Sequence, residues 1–163
     1  MSVVAGEIKF YLTPNANSDP DLSLGGVGTG SEAGETLHDL FDRVGSAEAV
    51  AGDVEYRAIN VKNTNGVDTL YDAVIWISTE TSSTDTIIAL AYDSTGTQSV
   101  VNESTAPSAP VLSFSTPVSE ATGIALGDIA AGATKRIWLR RTVTAGAAKA
   151  TDAGQLSVSG GTA

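Results

Sequence analysis

From Val54 to the C-terminal end the chain reads as short runs that alternate apolar and polar residues, separated by turn residues, with no helical stretch between them. The runs are VEYRAINVKN, LYDAVIWIST, DTIIALAY, TQSVVN, PVLSFS, a short TGIAL, KRIWLRRTV and QLSVS, and GEIKFYL near the start adds one more. A parallel sheet needs crossover helices, and none are available here, so the eight or nine strands must pair antiparallel. Asn63-Thr64-Asn65-Gly66, Ser94-Thr95-Gly96, Gly127-Asp128 and Ala131-Gly132 supply the turn chemistry between runs. The expected fold class is therefore all-β, an antiparallel β-sandwich, either immunoglobulin-like or jelly-roll, because both share the same local signals. Residues 1–163 are expected to form a single domain, a length sufficient for one core.

Two segments fall outside this pattern. TPNANSDPDLSLGGVGTGSEAGE, residues 13–35, is too rich in Gly, Asn, Asp, Ser and Pro to contribute to a core, and is expected to be a flexible arm or long N-terminal loop. In TLHDLFDRV, residues 36–44, Leu37, Leu40, Phe41 and Val44 recur at helical spacing and Gly45 follows as a stop, which predicts one short helix. TAPSAP, residues 105–110, reads as a connection between sheets. Aromatics are few, so Trp76, Trp138, Phe10, Phe114 and Tyr56 are expected to supply the bulk of the core alongside Ile, Val and Leu.

Charge narrows the range of partners. Nineteen acidic residues against nine basic ones give a formal net charge of −10, which opposes general binding to nucleic-acid phosphates and favours protein partners, basic ones included. No stretch approaches the roughly 18 apolar residues of a membrane span, and the opening MSVVAGEIKF lacks a basic n-region and an apolar h-region. A soluble, non-exported product with no membrane partner is expected. With no cysteine and one histidine, a structural zinc site is excluded.

Residues that carry chemistry elsewhere do not assemble a reaction centre here. His38 stands beside Asp39, but no GxSxG elbow supplies a nucleophile, and a surface helix histidine is the simpler reading. Asn15, Asn17, Asp19 and Asp21 place oxygen donors on alternate residues like a calcium loop, yet the positions that should hold Gly and Glu are Pro20 and Gly26. In GGVGTG no strand-turn-helix unit surrounds the glycines, and flexibility rather than phosphate binding is expected. Glu55 and Arg57 read as exposed ladder charges. No catalytic residue, cofactor or metal is assigned, and no enzymatic activity is expected.

One run concentrates positive charge. KRIWLRRTV, residues 135–143, holds four of the nine basic side chains. Strand alternation puts Ile137, Leu139 and Val143 on the core face and Arg136, Trp138 and Arg140 on the other. Trp and Arg are enriched at interface hot spots, so this outer face is a candidate protein interface, together with Asn15, Asn17, Asp19 and Asp21 of the proposed arm. The competing reading has Trp138 covering its own sheet while the arginines pair locally or stack on rings.

EIKFYLTPNANSDPDLSLGG, LFDRVGSAEAVAGDVEYRAINVKNTNG and LGDIAAGATKRIWLRRTV together resemble a group of small virion proteins of tailed bacteriophages. The motifs are architectural: Glu55-Tyr56-Arg57 followed by Val61-Lys62-Asn63, and Leu126-Gly127-Asp128 leading into Trp138-Leu139-Arg140-Arg141. The resemblance implies a virion location, with assembly in the host cytoplasm, and a capsid decoration (cement) role: binding the major capsid protein across capsomer junctions as a homo-oligomeric dimer or trimer, with residues 13–35 lying on the shell. The alternative it implies is a tail or baseplate accessory protein of β-sandwich type that contacts the host surface.

Overall fold

The structure, a computed structural model, describes residues 2–16, 19–34, 39–148 and 152–162. Alternation decides where its strands lie. In β1 (Ile8–Leu12), β2 (Asp53–Asn63), β3 (Leu70–Thr79), β4 (Thr86–Asp93), β5 (Ile124–Ile129), β6 (Thr134–Val143) and β7 (Gln155–Gly161), apolar residues two apart face a common interior. Two antiparallel sheets result, one ordered β1-β2-β6-β4 and the other β5-β3-β7. From β2 onward every connection passes from one sheet to the other. The fold is an all-β sandwich.

Register fixes which side chains meet. Across β2 and β6, Ile59 faces Ile137 and Arg57 faces Leu139; across β6 and β4, Leu139 faces Leu90. These inward residues meet Ala73, Ile75, Ile77, Leu126 and Ile129 of the other sheet, all 3% exposed or less. Each fully buried Ile or Leu contributes roughly 1.5–3 kcal/mol relative to exposure. Leu70 and Ala73 face inward although three residues apart, because β3 carries a bulge at Asp72. There Asp72 takes φ 48° and its N–H donates to Asp128 Oδ1 at 3.0 Å.

Several local expectations are corrected. Residues 97–102 and 110–115 form no strand; single bridges Gly25–Ser99, Ser108–Val111 and Leu90–Ser115 replace the ladders. The predicted helix over 36–44 falls partly outside the described residues, and its described part, 39–44, is irregular. Leu40 and Phe41 instead pack on the core from this irregular chain, and the α-helix, α1, is Ser46–Ala51. Glu48 accepts from the Gly45 N–H at 2.5 Å at its start, and Gly52, at φ 79°, ends it. Trp76 is not core: in β3 it alternates with Ile75 and Ile77, so it lies half-buried on the opposite face. Phe114 and Tyr56 also pack away from the inter-sheet core, edge to face at 5.6 Å.

Gly25 holds the closest backbone approach. At φ 93°, a Cβ there would collide with the Gln98 carbonyl and lie 2.8 Å from Trp138 Cζ2, whereas Gly96, at φ 63°, has open space around it. In urea denaturation, Gly25→Ala is expected to cost about 3 kcal/mol or more, and Gly96→Ala only about 1 kcal/mol.

Candidate functional site

The outer face of the four-stranded sheet carries the sequence-predicted interface residues, and the chain covers them itself. Trp138 is 0% exposed and Arg136 2%. Two coil segments lie over them and bond to each other: the Gly26 N–H donates to Gln98 O at 2.8 Å and the Val100 N–H to Leu24 O at 2.9 Å. Arg136 pins this layer down. Its Nε donates to Asn60 Oδ1 at 2.8 Å, and its Nη2 donates to the carbonyls of Gly26 at 2.7 Å and Gly28 at 3.2 Å.

Arg136 and Trp138 are therefore not available to a partner, which corrects the interface assignment. Strand phase rightly puts them opposite the core, but small residues such as Gly25 let backbone settle directly on the indole. Arg140 is half-buried, its guanidinium 5.2 Å from the Phe114 ring centre. A mixed aromatic and cationic cluster thus occupies the face where a partner was expected.

Nor does the segment after β1 extend as a free arm. Its described residues return along the sheet: the Leu12 N–H donates to Ser31 O at 2.9 Å, and the Ala33 N–H to Phe10 O at 2.9 Å. Ser23 Oγ donates to Ala58 O at 2.5 Å while accepting from the Thr13 N–H at 3.0 Å. Asn15 is exposed in a turn closed by the Ala16 N–H on Thr13 O. Asp19 accepts from the Asp21 N–H at 3.2 Å at the head of a 3-10 turn, Pro20–Leu22. Asp21 pairs with Arg57 at 3.3 Å. Asn17 and His38 lie outside the described residues. Among the described residues no group of three or more His, Cys, Asp or Glu is placed to hold a metal ion.

Sequence reasoning missed the most connected polar cluster. Glu55 and Arg57, expected to be exposed, are 1% and 0% exposed. They are in phase with Ile59 and Val61 on β2, so the signal was present in the alternation. Arg141, opposite Glu55 on β6, donates through Nε to Glu55 Oε2 at 2.5 Å and through Nη1 to the Asp42 carbonyl at 2.6 Å. Arg57 Nη2 reaches Glu103 Oε2 at 2.5 Å. The Phe41 ring lies against both guanidinium groups, 5.6 Å from that of Arg57 and 5.0 Å from that of Arg141.

Electrostatics follow from this packing. Burial pushes the Glu55 carboxyl up to about 7, against the opposing pull of Arg141 and Arg57. Burial lowers Arg136 from its ordinary value, with Asp93 opposing. At Asp93 burial acts upward, but hydrogen bonds from Thr95 and Gln98 outweigh it and hold the carboxyl below its usual range.

Two shallow hollows open on the coil layer. One, of about 360 Å³, lies between Thr97–Val101 and Thr105–Ala109. The other, of about 320 Å³, is bordered by Tyr92, Asp93, Thr95, Lys135 and Arg136. No described helix is long and apolar enough to cross a membrane. Compared with family models, curated proteins and solved structures, the chain matches none.

The Glu55 geometry predicts a pH dependence of definite sign. Its folded pKa, about 7, exceeds the reference 4.5, so between these values the folded state holds a proton that the unfolded state has lost. Stability from this group is greatest below about 4.5 and declines as pH rises through about 7. Urea midpoints measured at pH 5 and pH 8 should differ in that direction for the wild type. Glu55→Gln, which keeps the neutral form of the side chain at every pH, should flatten that slope.

Proposed function

We propose that this chain is a structural protein of a tailed-bacteriophage virion, a decoration protein that binds the outer surface of the head and strengthens contacts between capsomers. The observation that carries the reading is the character of the coil layer. Residues 94–115 hold a single charged side chain, Glu103, in a chain of net charge −10, and Glu103 is engaged with Arg57. The same layer exposes Val27, Val101 and Val111 at 76%, 88% and 82%. A weakly charged, apolar-flecked face on an acidic body has the composition of a protein-binding surface, since charged residues are depleted at interface centres.

Cementing is multivalent adhesion. Each copy need grip its shell subunits only weakly, because an oligomer engages several of them together and its avidity greatly exceeds the single contact. The partner is accordingly the major capsid protein, and the rest of the surface, rich in carboxylates, keeps the decorated particle soluble. This chemistry requires no reaction, and we assign the chain no enzymatic role.

A second reading is favoured by one specific feature, the hollow beside Tyr92, Asp93, Thr95 and Lys135. The exposed hydroxyls of Ser94, Thr95, Thr97 and Thr134 with the Lys135 ammonium are suited to sugar hydroxyls, as a tail or baseplate protein touching the host surface would require.

Two measurements separate these readings. Densitometry of purified virions should find the chain in numbers comparable with the shell subunit, and purified protein should bind expanded empty capsids. Val101→Asp with Val111→Asp is expected to weaken that binding about tenfold or more without altering thermal stability, because both side chains are solvent-exposed. Localisation to the tail tip in a few copies, with no capsid binding, would overturn the head assignment.

A further inference from the structure

The two sheets treat their edges differently. Among the described residues, the chain's own coil bonds to each edge of the four-stranded sheet, along β1 and at single points elsewhere. β1 is bonded by residues 30–33, the overhang of β2 by Ser23 and Glu103 through the Ala58 and Tyr56 N–H groups at 2.7 Å, and β4 by Ser115 at Leu90. In the three-stranded sheet, β5 is guarded by the bulge across from Asp72 and by the charge of Asp128. β7 has no such guard. It pairs with β3 on one side, and among the described residues no backbone bond falls on its other side. Its sequence, QLSVSGG, contains neither charge nor proline. Edges of this kind are templates for another strand, and folded proteins ordinarily block them.

We infer that β7 is a docking edge for a second copy of the same chain, pairing antiparallel about a two-fold axis through Val158 so that one sheet runs continuously across both copies. The strand is locally symmetric about that point. Val158 meets Val158, Ser157 meets Ser159, and Leu156 meets Gly160, whose inner face is covered by Leu70 of its own chain. Leu156 and Val158 point toward the core but remain half-buried, so pairing buries them further. Isologous two-fold contacts are the commonest form of self-association, and strand addition is an established recognition mode.

Symmetry selects the occupant, and charge sets the salt dependence of the pairing. Two copies at −10 each repel, and a strand with no charged side chain of its own, Glu120 being the carboxylate bonded to it at Ser159, lowers the cost of meeting there. Added salt should therefore strengthen the pairing by screening, whereas a basic partner would be released by salt. The pairing also stands apart from the head-surface reading: a dimer that binds no shell leaves β7 pairing intact, and a shell-bound oligomer joined elsewhere than at β7 leaves the shell reading intact.

Sedimentation equilibrium of the purified chain tests it. The wild type should be dimeric, more tightly so in high salt. Combining S157K with S159K puts like charges opposite each other in two cross-strand pairs and should weaken dimerisation at least about tenfold, as should S157E with S159E. An equimolar mixture of the two folded variants should regain the dimer, because each pair becomes Lys opposite Glu. A folding defect, including loss of the Ser159–Glu120 hydrogen bond, would not be rescued by mixing. A monomeric wild type, including one whose edge takes up a strand peptide from another protein, overturns the inference. So does a dimer indifferent to these substitutions, or a mixture that stays monomeric.

Discussion

The rest of the structure depends on β6 and its neighbour β2 being buried on both faces. One face of β6 supplies Ile137 and Leu139 to the core between the sheets, and the other supplies Arg136 and Trp138 to a second, thinner interior under the coil. An ordinary sandwich leaves one face of each sheet to solvent. Here the four-stranded sheet is the middle of three layers, and the third has no regular structure of its own. Such a layer holds its place only if something binds its carbonyls. Arg136 does so, converting the Gly26 and Gly28 carbonyls from solvent acceptors into partners of a buried cation.

The second anchor is ionic. Glu55, Arg141 and Arg57 sit where the inward stripe of β2 runs out of apolar residues and that of β6 is interrupted before Val143, and Phe41 closes the gap against both arginines. Desolvating such groups opposes folding, and the Coulomb gain offsets it only when each charge is well paired. The pairing here ties residues distant in sequence, Asp21, Asp42 and Glu103, to two adjacent strands. Apolar replacements could pack as densely, but they would not demand that these three loops converge on one end of the sandwich. The cluster therefore specifies how the loops lie more than it adds to stability.

Much of this was legible in the sequence as phase. Ile59 with Val61, and Ile137 with Leu139, announced their strands and their inward faces, and the same alternation placed Glu55, Arg57 and Arg141 inward before their charge argued otherwise. Phase says which side of a strand a residue takes; it does not say what covers that side. Trp138 and Gly25 meet across more than a hundred residues, and no local pattern encodes that contact. The helical spacing of Leu40, Phe41 and Val44 misled for a related reason. Phe41 is held by two guanidinium groups that only the folded sheet brings together, and that tertiary demand overrides a weak local propensity. The Gly- and Asn-rich stretch reads as flexible by composition, yet its small residues are what allow it to lie flat against the sheet.

Consolidating the coil layer has a consequence for how the molecule can adhere to anything larger. A loop that orders only on docking spends part of its binding free energy on losing conformational freedom, and a layer already bonded down does not. Val27 and Val101 are presented on backbone that Arg136 and the Gln98 and Leu24 carbonyls already fix, and Val111 on a turn closed by its bridge to Ser108. The weakly charged contact face and the bare β7 edge belong to different sheets, one on the coil over β6 and the other at the margin of β5-β3-β7. Occupying one does not cover the other. If β7 pairs with a second copy as proposed, that pairing leaves the preorganised coil face free for a different surface, which is the geometry that lets weak individual contacts add.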